Sequence, residues 1–153
     1  MDMPPSAAGL TEPLPFDQSL GFLVRDLNRA IQRHLQARLQ AHGVAPGGWY
    51  FLRVLWEEDG LTQSELARRV GMMEPTAVIA LRGLEEGGWI HRVRSETDRR
   101  KVHIHLTPSG RALRAELMPE AHGVNRRATQ NLTADEVRML LSLLRRARSN
   151  FED

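Results

Sequence analysis

Cysteine is absent from the 153 residues, which excludes a disulfide framework, thiolate metal ligation, and sensing or catalysis through a thiol. Lysine is almost absent: Lys101 is the only one, and the other twenty bases are arginines. Aromatic residues make up only 5% of the chain, and no apolar run approaches the roughly 20 residues that span a bilayer. The start, Met1-Asp2-Met3-Pro4-Pro5, has neither a basic nor an apolar leader segment, so a cytoplasmic protein is expected. Nor is there a large excess of one charge, since 21 bases against 19 acids leave a net +2. What remains, 41% hydrophobic and 26% charged residues, is the composition of an ordinary globular domain of single-domain length.

The positive charge is local. Between residues 89 and 106, Arg92, Arg94, Arg99, Arg100 and Lys101 stand against Glu96 and Asp98, so five bases over two acids give +3, with His91, His103 and His105 in addition.

Along the chain, Pro4, Pro5, Pro13 and Pro15 predict a flexible arm over residues 1–15, with no function expected of it. From Asp17, read as an N-cap, Leu20, Leu23, Leu27, Ile31, Leu35 and Leu39 recur at helical spacing until Gly43. Pro46 suits the first position of a second helix, with Trp49, Leu52, Leu55 and Trp56 as its buried stripe before Asp59-Gly60. Thr62-Gln63-Ser64-Glu65 reads as a capping box opening a third helix that ends at Gly71. Pro75 then opens a fourth, with Ala77, Leu81 and Leu84 on its inner face and Gly87-Gly88 as its stop. Helix, tight glycine turn, helix is a helix-turn-helix, whose second helix is free to enter a major groove.

Val102, Ile104 and Leu106 alternate with Lys101, His103 and His105, and with Trp89 to Arg94 they predict a hairpin whose tip is Ser95 to Arg100. Thr107-Pro108 opens a fifth helix carrying Leu113, Leu117 and Met118, in which Pro119 predicts a kink or break. A second capping box, Thr133 to Glu136, leads into Val137, Leu140, Leu141 and Leu144. The fold class is therefore mainly α with a small β-hairpin wing. No internal repeat is present.

Over residues 17–149 the chain resembles the MarR (multiple antibiotic resistance regulator) family of bacterial winged helix-turn-helix transcription factors. Three segments carry the likeness in order: Gly88-Trp89-Ile90, the wing-tip Asp98-Arg99-Arg100, and Leu106-Thr107-Pro108-Ser109-Gly110. The resemblance implies a homodimer joined by the first, fifth and sixth helices, with a ligand crevice between each DNA-binding lobe and the dimerisation helices. On that division residues 46–107 form the lobe, and 16–45 with 108–153 the dimerisation region. Two departures stand out. Val78 and Ile79 occupy the middle of the recognition helix where members of the family often have Thr and Arg, and Tyr50 replaces the Asp usual in urate-responsive members.

On the fourth helix Glu74, Thr76, Ile79 and Arg82 lie off the inner stripe and are the base-facing candidates: Arg82 suits guanine O6 and N7, Thr76 a phosphate or base, and Ile79 a thymine methyl. Arg99, Arg100 and Lys101 at the wing suit phosphates or a narrow minor groove, with Asp98 holding Arg100 by an ion pair. Ser64, Arg68 and Arg69 are candidates for backbone phosphate contact. Trp49 and Tyr50, with Arg25, Arg29, Arg53 and His122, are the candidate effector residues, a set suited to a small aromatic carboxylate or phenol. Met72 and Met73 read as core plugs.

His103 and His105 share a strand face but lack a third ligand, and His34 and His42 are too far apart on one helix, so no metal is expected. No phosphate loop, nucleophile elbow, zincin or cofactor motif is found, and neither enzyme activity nor a cofactor is expected. The reading is a homodimeric, ligand-responsive repressor of double-stranded operator DNA. The alternative is a helical protein-interaction module that does not bind DNA.

Overall fold

The computed structural model describes residues 11–152 and arranges six helices and one hairpin in the order α1 (Leu20–Ala41), α2 (Trp49–Glu57), α3 (Gln63–Val70), α4 (Glu74–Glu86), β1 (Ile90–Arg94), β2 (Val102–Leu106), α5 (Pro108–Ala128), α6 (Ala134–Ser149). Residues 1–10 of the expected arm lie outside the described residues. Residues 13–15 have no regular structure and lead into a 3₁₀ turn, Phe16–Gln18.

That turn takes up Asp17, so the cap of α1 is Ser19, whose hydroxyl accepts from the Phe22 amide at 3.3 Å. The expected Asp17 cap is thereby corrected. The helix stops at Gly43, whose φ of +79° is left-handed. Pro46 does not open α2 either: Ala45 to Gly48 form a turn with Gly47 at φ +87°, and the helix begins at Trp49. Gly48 is pressed against α4, where a Cβ would meet Leu84 Cδ2 at 2.6 Å.

α2 is short but buries Trp49, Phe51, Leu52 and Leu55, and forms the centre of the lobe. Around it lie Leu66 and Ala67 of α3, Ala77, Leu81 and Leu84 of α4, Ile104 and Leu106 of β2, and Leu113 and Leu117 of α5. β1 and β2 pair antiparallel, Ile90 opposite Leu106 and Arg94 opposite Val102, with Ile90, Ile104 and Leu106 inward. The loop before α3 adds a third edge: the Ile104 amide donates to the Leu61 carbonyl at 2.8 Å, and Thr62 bridges to His103.

Thr62 caps α3 by accepting from the Glu65 amide, but Glu65 makes no return bond, so only half of the first capping box forms. The second forms completely: Thr133 Oγ1 accepts from the Glu136 amide at 3.1 Å, and the Thr133 amide donates to Glu136 Oε1 at 2.9 Å.

The junction of β1, β2 and α5 gives the Leu-Thr-x-x-Gly motif a physical reason. The Thr107 hydroxyl accepts from the Gly110 amide and donates to the Gly88 carbonyl, while the Thr107 amide donates to the Trp89 carbonyl. A Cβ on Gly110 would sit on that same Trp89 carbonyl oxygen. Trp56 Nε1 donates to the Gly110 carbonyl at 2.9 Å, so α2 is fixed to the same point.

Pro119 does not break α5, which runs on to Ala128. Gly110, Leu113, Leu117, Ala121 and Val124 form one continuous buried stripe, and this packing on both sides of the proline keeps the helix whole despite its one missing bond. α5 is also clamped to α1: Arg38 Nη1 donates to Glu120 Oε2 at 2.8 Å, and the His42 ring lies 3.4 Å from Glu116 and 3.6 Å from Glu120. The Arg38 bond, aided by His42, holds the Glu120 carboxyl below its ordinary value.

α6 buries none of its residues. Met139, Leu141, Leu143 and Leu144 are exposed, as are Leu20, Leu23, Val24 and Leu27 in the first half of α1.

Candidate nucleic-acid interface

α4 turns Ala77, Leu81 and Leu84 inward, which leaves Glu74, Thr76, Ile79 and Arg82 in solvent. Ile79 is 71% exposed, a level that no packing demand explains. Ser64 Oγ donates to Glu74 Oε1 at 3.1 Å and so ties the start of α3 to the start of α4. Ser64, Glu74, Arg100 and Lys101 line a single small pocket, so both helix starts and the wing meet there. Thr76, Ile79 and Arg82 line a shallow groove on the other flank of α4, beside Pro46 and Gly47.

The wing tip is held by its own backbone. The Ser95 amide donates to the Lys101 carbonyl at 2.9 Å, the Lys101 amide to the Asp98 carbonyl at 3.0 Å, and Arg94 Nη1 to the Arg99 carbonyl at 2.6 Å. The Asp98 carboxylate accepts from Arg100 Nε at 3.0 Å, from Nη2 at 3.3 Å and from the Arg100 amide at 3.1 Å. The bond from the Arg100 side chain, with that from its amide, holds the Asp98 carboxyl below the ordinary aspartate value. With 91% of its side chain exposed, Arg100 is braced by one carboxylate and directed outward, beside exposed Arg99 and Lys101.

Two of the cations counted at the wing serve the lobe itself, and a third, on α3, does likewise. Arg92 donates to Gln63 Oε1 at 3.2 Å and faces Glu85, joining β1 to α3 and α4, while Arg94 closes the tip. Arg69, a phosphate candidate, pairs with Glu58 at 2.7 Å, whereas Arg68 is exposed. Exposed positive charge flanking α4 is therefore carried by Arg68, Arg82, Arg99, Arg100 and Lys101.

Two residues escaped the sequence reading. Met72 packs against the core, but Met73, the N-cap of α4, is 79% exposed and no plug. A cap position faces solvent beyond the helical stripe, and its place two residues before Pro75, which sits in the first turn, is the signal that separates it from Met72. Asp59, read only as part of a break, accepts from the Gly60 and Leu106 amides and from Arg111 Nη2, so one carboxylate joins the loop after α2 to β2 and α5.

The candidate effector residues are not brought to one cavity. Trp49 belongs to the core, edge-on to Trp56, with the Arg53 guanidinium 5.6 Å from its ring centroid. Tyr50 is half exposed, its hydroxyl accepting from Gln32 Nε2 at 3.0 Å, and Gln32 shares a polar groove on α1 with Arg29. Arg25 lies exposed one turn before Arg29, and His122 is exposed on α5. The apolar cavity between α1 and α5, about 180 Å³ and lined by Leu27, Ile31, His34, Val124 and Arg127, includes none of the six. His34 Nδ1 donates to the Ala30 carbonyl at 2.9 Å, which leaves Nε2 unused by that bond.

The wing histidines have separate partners: His103 Nδ1 bonds to the Gly60 carbonyl, and the His105 ring stacks on His91 with centroids 5.5 Å apart.

A helix-turn-helix packed against a cationic hairpin, with long helices before and after it, defines the winged helix-turn-helix class. The MarR family model matches residues 47–102. The HTH-type transcriptional regulator TtmR of Methylorubrum extorquens is 33% identical over 139 residues, covering 91% of this chain and 70% of that protein. The homoprotocatechuate degradative operon repressor of Escherichia coli is 25% identical over 126 residues, or 82% of this chain and 85% of that one. Among solved structures, a mutant MarR from Escherichia coli complexed with operator DNA superposes with a TM-score of 0.76 at 26% identity, covering 84% of this chain and 92% of the other. A MarR regulator from Methanosarcina mazei shares the fold at a TM-score of 0.80 and 24% identity, over 86% and 94% of the two chains. The chain belongs to the MarR family of transcriptional regulators. Among the described residues no helix is long and apolar enough to cross a membrane.

Proposed function

We propose that the protein is a homodimeric repressor that binds a pseudopalindromic operator, one lobe (residues 46–107) to each half-site. The observation that carries this reading is the pairing of a solvent-facing recognition helix with an outward Arg100 braced on the same lobe. Thr76, Ile79 and Arg82, with Glu74, face base edges in the major groove. Ser64 and Arg68 meet backbone phosphate. Arg99, Arg100 and Lys101 reach phosphates or the adjacent minor groove. The relative that was solved on operator DNA supports the same use of the fold.

Dimerisation is supported by the apolar side chains that α6 and the first half of α1 leave uncovered. Residues 16–45 and 108–153 are the dimerisation region. Two-fold symmetry then sets the recognition helices about 34–36 Å apart, one helical turn of DNA. Footprinting of the region upstream of the protein's own gene tests this: two protected half-sites one turn apart support the reading, and uniform or absent protection refutes it.

The effector is a small aromatic acid or phenol, a class in keeping with the relative named for a homoprotocatechuate degradative operon. Arg29 with Tyr50, reached through Gln32, and Arg53 with Trp49 are its nearest matches in one subunit. Arg25 and His122 join them only if the partner subunit closes the crevice. Such a ligand lowers DNA affinity by binding more tightly to lobe spacings that cannot span successive grooves. A panel of phenolic and heteroaromatic acids must contain one that raises the melting temperature and releases DNA; if none does both, the repressor is constitutive.

A further inference from the structure

We propose that the first two turns of α4 read the C5-methyl group of a pyrimidine, and that Met73 and Ile79 are the residues that do it. This deepens the reading of α4 as a recognition helix and rests on it.

Those turns lack the side chains that recognise purines bidentately. From Glu74 to Leu81 the sequence is Glu-Pro-Thr-Ala-Val-Ile-Ala-Leu, with no Arg, Lys, Asn or Gln before Arg82 in the third turn. Bidentate recognition of guanine needs Arg or Lys, and that of adenine needs Asn or Gln, so neither is available there. Glu74 can accept only from a cytosine amine, and one of its oxygens already takes the Ser64 hydroxyl at 3.1 Å, while the Thr76 hydroxyl does not discriminate among bases. The distinctive major-groove group that apolar side chains can recognise is the methyl at C5, which thymine carries and 5-methylcytosine shares.

The same segment presents the surface that such contact requires. Met73 is 79% and Ile79 71% exposed, and between them Pro75 and Thr76 are also exposed. Within residues 46–107 the only other exposed large apolar side chains among the described residues are Tyr50 on α2 and Val93 on β1. The dimer-forming apolar face lies on α1 and α6, so this second patch is separate from it. Its surroundings name the occupant. Arg82 is exposed on α4 itself and Arg68, Arg99, Arg100 and Lys101 on α3 and the wing, and that set of cations matches a polyanion. An apolar strip set among cations fits the floor of a groove walled by phosphates.

The test uses the full-length protein and a duplex obtained by selection from a randomised pool. Replacing every thymine by deoxyuridine removes the methyl and leaves base pairing intact, and the predicted loss is about fourfold for each methyl contacted. Ile79→Ala is predicted to lose the same factor on thymine DNA and nothing further on deoxyuridine DNA; Met73→Ala repeats the cycle at the helix cap. A second arm methylates cytosines in the selected site. Loss on deoxyuridine identifies thymine as the base read, whereas a gain on methylation identifies 5-methylcytosine. Equal binding to all three duplexes, or an Ile79→Ala loss that is the same with and without the methyl, overturns the inference and leaves DNA binding intact. A protein that selects no duplex at all overturns the repressor reading and this inference together.

Discussion

Gly110 shows how one small residue fixes the geometry of the lobe. Its missing side chain lets α5 start against the Trp89 carbonyl, which also takes the Thr107 amide, while Trp56 bonds to the Gly110 carbonyl. Gly110→Ala must displace either α5 or β1, and is predicted to cost about 3 kcal/mol or more, read as a lower urea midpoint. Asp98 is a different case, because its carboxyl is held below its ordinary value chiefly by the Arg100 side chain. The ion pair is therefore fully formed above about pH 4, the ordinary aspartate range, and is lost as pH falls through the depressed value. The Arg100 Nε–H resonance should keep its shift from neutral pH down to about 4 and move below it. A resonance already moving at pH 6, or one that moves through the ordinary aspartate range rather than below it, contradicts the pairing.

At the scale of elements, much of the fold was legible because local chemistry and global packing agree. Thr62, Thr107 and Thr133 cap three helices as their sequence context indicates, and the alternation of Val102, Ile104 and Leu106 gives β2 its inner face. The misreadings occur where two local signals compete. Pro46 satisfies the rules for a helix start, but Gly47 and the close approach of Gly48 to Leu84 place the turn there. Asp17 is a good cap that a 3₁₀ turn takes up before Ser19. Pro119 would end an isolated helix, yet a stripe from Gly110 to Val124 packs on both sides of it. Of the candidate site, the exposure of the outer face of α4 and of the wing tip was legible because exposure follows from periodicity. The candidate effector residues lie on several helices with no shared cavity in one subunit, which helical periodicity does not encode. α6 supplies the prediction at this scale: its stripe is left exposed among the described residues, and the proposed dimer ties its stability to association. Thr133→Ala, which removes the hydroxyl that caps the Glu136 amide and leaves only the backbone half of the box, is predicted to cost about 1 kcal/mol and to weaken the dimer about fivefold. Leu144→Glu is predicted to give a monomer in sedimentation. A wild-type chain that sediments as a monomer would contradict both.

For the whole molecule, the distribution of charge outweighs its total. A net +2 predicts little affinity for DNA, but the lobe consumes Arg69, Arg92 and Arg94 in its own contacts and leaves five exposed cations flanking α4. Doubling that surface by a two-fold axis gives an interface whose affinity depends steeply on salt. The most direct measurement is the slope of log affinity against log salt for the upstream duplex, for the wild type and for Arg100→Ala. Two wings, each losing one phosphate contact, are predicted to flatten the slope by about 2. An unchanged slope, or binding insensitive to salt, would contradict the central claim that this lobe grips duplex DNA through its helix and wing together.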